Sequence, residues 1–456
     1  MRILQVNAYD DGGGAEAVTR QLFQAYRCLG HRSWLAVGQK RSDDPDILTI
    51  PNDAFRSEWG ERCLALGELL SPLVGRVRGA WRLRRLLQTW VAHPKRWLDL
   101  YLGRENFDFP AAWRLLDLTD GRPDIVHCHN LHGGWFPRGG FFDLRALSWL
   151  SRQVPTVMTL HDTWLLSGHC ACTLGCERWK TGCGDCPDLT IYPAISRDAT
   201  AYNWRRKRAI YAKSTLYVAT PSRWLMERVQ KSMLAASLVE ARVIPNGVDL
   251  SIFYPAGKEE ARSTLGLPQD VKVLLFVASA AKRNMFKDYQ TIHAAAIHVG
   301  AGFQGQRVIV VVLGESGETE PFSNGEIRFI PFEKDRRTVA RFYQAADVYV
   351  HAAKADTFPS TVLEALACGT PVVATAVDGI PEQVDDGHTG FLVLGGDAEG
   401  MASRILQLLS DDVLRRQMGA QAVEVVRRRF DLSQQVHTYL DWYQEIISRW
   451  SGQRSS

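Results

Sequence analysis

The sequence predicts an α/β protein with two parallel-sheet domains, and three observations carry that prediction. In both halves of the chain, short apolar runs alternate with stretches of helical period, the pattern of strands joined by crossover helices. At 456 residues the chain exceeds one ordinary core and points to two or three domains. A turn-rich string, Arg242-Val-Ile-Pro-Asn-Gly-Val-Asp249 followed by Phe253-Tyr-Pro255, falls near the middle and reads as a boundary on its local chemistry.

In chain order, the first half offers strands at Ile3 to Ala8, Ser33 to Val37, Ile125 to His129, Thr156 to Leu160 and Leu216 to Ala219. A helix over Glu16 to Leu29 places Val18, Leu22, Ala25 and Leu29 along one side. The second half offers Val273 to Ala278, Val308 to Leu313, Ile327 to Pro331, Val348 to Ala352, Val372 to Ala374 and Phe391 to Val393. The C-terminal stretch is helical in pattern. These signals give a first domain over 1–240, a second over 241–431 and a closing helix and tail over 432–456.

Composition narrows the class. Hydrophobic residues at 46% and charged residues at 23% fit a soluble globular protein, not a disordered one. Runs such as Val273 to Ala281 fall short of the roughly 18 apolar residues that a membrane-spanning helix needs. The chain opens directly on a strand pattern with no signal-peptide apolar region, so a cytoplasmic location is expected. Nine cysteines in a reducing compartment then read as thiols, not disulfides. A net charge of +4 is too small to imply nucleic acid, and none is expected as a partner.

The densest chemistry lies between His351 and Gly390. A strand, a polar loop, a short helix over Thr361 to Ala367 and a second strand follow one another. Asp356 and Glu364 flank the loop. Ligands of open α/β sheets bind at the carboxyl ends of strands, where helix N-termini offer free N–H groups to phosphate. Carboxylates accept hydrogen bonds from sugar hydroxyls. The segment reads as a nucleotide-sugar pocket, against the plainer alternative of a crossover with solvated acids.

The string Asp356-Thr-Phe-Pro-Ser-Thr-Val-Leu-Glu364 is similar to the donor-site motif Glu-x-Phe-Gly-x-x-x-x-Glu of glycosyltransferase family 4, retaining enzymes of the GT-B fold. Asp replaces the first Glu and Pro359 the Gly. The turn-rich string near residue 245 resembles the same family's inter-domain signature. The resemblance implies two Rossmann-like domains facing across a cleft, with the C-terminal helix returning to the first domain. It implies a nucleoside-diphosphate sugar donor, of UDP or GDP type, bound by the second domain, and a glycan or polyprenyl-linked acceptor bound by the first. Glu364 would hold the ribose hydroxyls, Asp356 hydroxyls of the donor sugar, and the turn Phe358, Pro359, Ser360 and Thr361 the diphosphate. No metal is required for catalysis in this scheme.

Further positions join the site. Asp10-Asp-Gly-Gly-Gly-Ala-Glu16 follows the first strand and opens the first helix, and Gly13 and Gly14 let a backbone approach donor phosphate or acceptor closely. The family carries a Gly-rich loop there, whereas Gly-x-Gly-x-x-Gly and a P-loop are both absent. His161 ends a strand and, by resemblance, contacts the transferred sugar; a structural strand-end histidine is the plainer reading. In Phe276 to Asp288, Lys287 matches the family's diphosphate-gripping Lys. The Arg position is taken by Ala281, leaving Lys282 or Arg283 to substitute. His161, Asp356 and Lys287 are thus the residues placed at the reaction.

Two stretches stand outside that scheme. Cys170, Cys172, Cys176, Cys183 and Cys186 lie close together in a loop over 168–188, and Cys170, Cys176, Cys183 and Cys186 suit a closed structural zinc site. Buried free thiols or a redox pair are the alternative. A helical insertion over about 56–110 interleaves Arg76, Arg78, Arg82, Arg84, Arg85, Lys95, Arg96 and Arg104 with Trp81, Trp90, Trp97 and Tyr101. It suits either peripheral contact with an anionic membrane or aromatic packing on the domain. Three other functions compete. A metal-dependent transferase of the other common fold has only Asp44-Pro-Asp46 to offer, in an early polar loop. A nucleotide-sugar epimerase and a catalytically inactive sugar-binding scaffold share the expected architecture.

Overall fold

The computed structural model describes residues 1–55, 57–92, 94–132 and 140–455. The chain divides into two compact units. The first holds Met1–Thr220, Met226–Arg242 and the residues from Asp441 on; the second holds Pro221–Leu225 and Val243–Leu440. The division at Arg242 falls within two residues of the turn-rich boundary read from the sequence. Two features were not legible there. Pro221–Leu225 counts with the second unit, where the Glu382 carboxylate accepts from the backbone N–H groups of Arg223 and Trp224 at 2.8 Å each. The terminal helix, Leu432–Ser455, changes unit within its length instead of before it.

The first unit is built on β1 (Arg2–Tyr9), β2 (Arg32–Gln39), β3 (Ile47–Thr49), β4 (Ile125–Cys128), β5 (Thr156–Thr159), β6 (Leu216–Thr220) and β7 (Leu238–Val243), in the order β3-β2-β1-β4-β5-β6-β7. Pairing from β3 through β6 is parallel, with Ile3 level with Ser33 and Ile125. Parallel sheets are covered on both faces, which is why the central strands read as unbroken apolar runs. The short β3 and the half-exposed edge strand β7 carry no such run and escaped the sequence reading.

The helix after β1 spans Gly14–Cys28 and buries Val18, Leu22, Phe23 and Tyr26. Leu29, expected on its apolar side, is instead 47% exposed, because the chain leaves the helix there and Gly30 adopts φ +80°. The end of the terminal helix closes this unit. Trp442, Tyr443 and Ile446 are fully buried, and Trp442 Nε1 donates to Glu240 at 3.0 Å. This is the returning C-terminal helix expected of the fold.

The second unit is built on β8 (Lys272–Val277), β9 (Val308–Leu313), β10 (Glu320–Phe322), β11 (Gly325–Ile330), β12 (Val348–His351), β13 (Val372–Thr375) and β14 (Gly390–Val393), in the order β10-β11-β9-β8-β12-β13-β14. Only the short β10, absent from the sequence reading, pairs antiparallel. Two apolar layers, one on each face of the sheet, hold it between helices.

The insertion is helical, over Glu58–Leu69, Ala80–Arg85, Leu86–Val91 and Pro94–Tyr101. Its aromatic residues do not pack inward as a set: Trp59, Trp81, Trp97 and Tyr101 are each about half exposed. Arg96, by contrast, is buried and donates to the Asp108 carbonyl. Among the described residues no helix is long and apolar enough to cross a membrane.

Candidate functional site

Chemistry gathers at the carboxyl end of each sheet, and the cluster in the second unit is ionic. β12 delivers His351, and the loop beyond it delivers Asp356. Lys287, from the loop after β8, bridges to Ala353 by its backbone and so lies beside that loop. Its ammonium donates to Asp356 Oδ2 at 2.5 Å and lies 3.3 Å from His351 Nε2. His351 Nε2 is itself 3.4 Å from the same carboxylate oxygen, and its Nδ1 meets the Tyr349 hydroxyl at 3.0 Å. Burial alone would raise the Asp356 carboxyl; the Lys287 ammonium and His351 outweigh it and hold the group well below the usual carboxylate range. Burial, helped by the Lys287 charge, pushes His351 down to about 4.

The turn after Asp356 is braced from behind. Asp378, at φ +50°, accepts from the Asp356 N–H at 3.0 Å. A left-handed conformation costs a non-glycine residue about 1–2 kcal/mol, so the neighbouring contacts must hold it. A Cβ on Gly379 would lie 1.9 Å from the Thr357 carbonyl oxygen, so only glycine fits that crossing. Gln383 Nε2 donates to the Pro359 carbonyl at 3.0 Å.

The helix that follows begins at Ser360 with Pro359 as its cap, and among the described residues no side chain caps its first N–H groups. Orphan donors at such an end, with the helix dipole behind them, suit an anion. Thr361 contributes a buried hydroxyl beside Tyr349. Phe358 is different. Its ring is buried at 5.9 Å from the Phe430 ring, so only its backbone remains for ligand contact. Glu364 accepts from the Tyr343 hydroxyl at 2.9 Å, and burial, opposed by that bond, lifts its carboxyl to about 7.

The two substitutes for the missing Arg separate. Lys282 pairs with Glu320 at 2.6 Å and lies over the Phe329 ring. Arg283 is exposed, with no side-chain hydrogen bond or ion pair among the described residues. Ala281, at the family's Arg position, is buried.

The cluster in the first unit is neutral. His161 follows β5, and His129 follows β4. His129 Nδ1 lies 3.2 Å from His161 Nε2, and its Nε2 lies 3.1 Å from Gln5 Oε1 on β1. Next to them His127 reaches Thr159 at 2.7 Å and the Tyr443 hydroxyl at 2.6 Å. Burial pushes His127 down to about 3 and His161 to about 4. Beside His161, Asp162 accepts from His132 at 2.7 Å and from the Trp164 N–H at 2.8 Å. In the Gly-rich loop, Gly13 caps the first helix, and the space above Gly14 is open. Asp10 is structural: its carboxylate accepts from the N–H groups of Arg41 and Ser42.

The cysteines of the loop after His161 are free thiols. Burial raises Cys170 to about 11 and Cys183 to about 12, and Cys176 adds to the effect at Cys170, Cys183 and Cys186. The four lie near one another, yet among the described residues no three His, Cys, Asp or Glu side chains stand in a metal-holding group. His169 Nε2 reaches Cys186 Sγ at 3.4 Å.

A family model described as Glycosyltransferase Family 4 matches residues 12–252, and one described as Glycosyl transferases group 1 matches 257–425. The chain belongs to glycosyltransferase family 4. A colanic acid biosynthesis glycosyl transferase, WcaC of Escherichia coli K12, is 26% identical over 355 residues, 74% of this chain and 80% of that protein. A D-inositol 3-phosphate glycosyltransferase of Mycobacterium leprae is 35% identical over 194 residues, 40% of this chain and 42% of that one. In fold, the chain is similar to sucrose-phosphate synthase of Thermosynechococcus elongatus (TM-score 0.62, 21% identity, 98% and 99% of the two chains). It is likewise similar to HepE of Anabaena, solved with UDP and glucose (TM-score 0.60, 16% identity, 97% and 99%). The architecture is that of GT-B enzymes.

Within this family 4 enzyme, the residues missed from sequence share one trait: they are polar groups inside apolar strands or behind a turn. Tyr349 and His351 looked like strand interior. Gln5 and His129 carried a usable signal, since a buried strand has no packing reason for either. Asp378-Gly379, just past the end of a strand, carried no signal of its own.

Proposed function

We propose that this glycosyltransferase moves a sugar from a nucleoside diphosphate, of UDP or GDP type, to a glycan or polyprenyl-linked acceptor with retention of configuration. One observation carries the reading: Lys287, Asp356 and His351 converge beside the uncapped turn at Ser360. An ammonium and free N–H groups suit a departing pyrophosphate, and fixed charge that needs no reorganisation stabilises it without a metal. The bond from the sugar's anomeric carbon to the phosphate oxygen breaks, and the electron pair leaves with the nucleoside diphosphate. The acceptor oxygen bonds to that carbon on the same face, and its proton passes to the leaving phosphate oxygen. Asp356 orients hydroxyls of the donor sugar, Glu364 takes the ribose diol, Gly13 and Gly14 border the phosphates, and His161 sits by the transferred sugar. Arg283, whose side chain makes no ion pair among the described residues, supplies the second charge in place of Lys282, which is held by Glu320.

HepE, solved with UDP and glucose, supports a UDP-type donor, and WcaC supports a place in surface polysaccharide synthesis. The test is release of nucleoside diphosphate from a panel of donors, with and without acceptor, in the wild type, Lys287→Ala and Asp356→Ala. Acceptor-dependent release lost in both variants supports transfer. Isomerised donor without acceptor indicates an epimerase, and unchanged turnover in both variants removes the site.

Two accessory readings belong with this one. The half-exposed aromatic residues of the insertion, interleaved with arginines, form a surface for an anionic membrane on the cytoplasmic side. Co-sedimentation with anionic but not zwitterionic vesicles checks it. Cys170, Cys176, Cys183 and Cys186 are the side chains that would hold a structural zinc, which would staple their loop; metal analysis of the purified protein decides it.

A further inference from the structure

Gln5, His129 and His161 form a hydrogen-bonded line across the ends of β1, β4 and β5. Gln5 is fully buried and His129 is 1% exposed, so water does not compete for the two inner contacts. An amide oxygen only accepts. With Gln5 Oε1 at 3.1 Å, the proton of His129 therefore resides on Nε2. A neutral imidazole carries one proton, so His129 Nδ1 is an acceptor, and His161 Nε2, 3.2 Å away, must donate to it. The two rings are nearly parallel, 20° apart, which keeps both nitrogens close to one plane. Burial holds both imidazoles neutral at physiological pH, so the tautomer is a fixed property of the site. The carboxylate nearest His161, Asp162, is engaged by His132 and the Trp164 N–H.

We infer that His129, itself oriented by Gln5, is a positioning residue that fixes His161 in the tautomer protonated at Nε2, with Nδ1 as acceptor. The catalytic consequence rests on the proposed placement of His161 by the transferred sugar. His161 takes a hydrogen bond at Nδ1 from a donor-sugar hydroxyl and delivers no proton to the leaving group. Residues that orient an imidazole in this way sit two layers from the chemistry, and losing one typically costs about 10- to 100-fold in activity.

The experiment is long-range proton–nitrogen NMR on the full chain with labelled histidine, His161 being assigned by its loss in His161→Ala. His161 is expected to show a protonated nitrogen at Nε2 and a bare one at Nδ1. The opposite pattern, as a Gln5 amide turned the other way would give, overturns the inference in the wild type alone, whether or not any variant folds. In His129→Leu the single-tautomer pattern should give way to a mixture, with kcat down about 10- to 100-fold and donor KM within about twofold. His129→Asn, whose amide oxygen can accept from His161, should restore the pattern and much of kcat. An unchanged His161 pattern in His129→Leu also overturns it. If the pattern is as expected but His161→Ala transfers sugar normally, the tautomer assignment stands and the placement of His161 at the sugar falls.

Discussion

The two strand-end clusters are comparable in burial and opposite in electrostatics. After β4 and β5, burial drives His127, His129 and His161 to neutrality, and what remains to be specified is which nitrogen carries the proton. After β12, Asp356 is similarly enclosed yet keeps its charge, because Lys287 stands 2.5 Å from it. Desolvation penalises every charged form, and only a counter-charge within hydrogen-bond reach reverses the outcome. One cluster holds fixed charge, the other neutral donors and acceptors.

The comparison breaks most easily at Lys287. Lys287→Ala should cut transfer about 10³-fold by removing the cation at the leaving group. It should also destabilise the fold by about 3 kcal/mol, since it strands a partly buried carboxylate. Steady-state kinetics and urea unfolding read the two effects, and near-normal turnover would remove the ionic cluster from the mechanism.

Bracing of the donor turn is the next test. Gly379→Ala places a methyl against the Thr357 carbonyl and should cost about 1–3 kcal/mol while raising donor KM. An unshifted melting temperature would mean that the crossing relaxes freely.

Glu364 sharpens the electrostatic side. Its folded value of about 7 lies above the usual 4.5, so the protonated form is the favoured one in the fold. Its stabilising share is full below about pH 4.5 and is lost as pH rises through 7, by at most about 3 kcal/mol. A ribose diol needs the ionised acceptor, so donor affinity should fall about 10-fold from pH 8 to pH 6. Glu364→Gln should flatten both profiles; calorimetric titration with the donor nucleotide across that range measures the second.

The smallest effect is expected at the far end of the histidine cluster. Tyr443→Phe removes the hydroxyl that meets His127 at 2.6 Å and Tyr26 at 3.2 Å. It should lower stability by about 1 kcal/mol with transfer nearly unchanged. A large loss of activity would tie the terminal helix to the chemistry.

Much of this was readable in advance because it is written in local pattern. Among the described residues, apolar runs with turn punctuation located eleven strands and missed β3, β7 and β10, short or edge strands that bury too little to need a pattern. The turn from Asp356 to Glu364 could be singled out because its acids and helix start lie within one short segment. The contact between Lys287 and Asp356 could be guessed only through family likeness, since the two lie on different loops of the chain. His351, Asp378 and Gln5 were not placed at all, because each acts on a residue far from it in sequence.

By itself, then, the sequence determined the alternation of strands and helices, the boundary near Arg242 and membership of a transferase family, and it singled out Asp356 and Glu364 as candidates. These follow from periodicity and short motifs, which act over a few residues. Only the tertiary structure decided which groups stay charged, which nitrogen of a histidine holds the proton, and that Phe358 belongs to the core. Ionisation and tautomer are set by the few ångströms around a buried atom, and in this fold those ångströms are filled by strands and loops that the chain brings together from far apart.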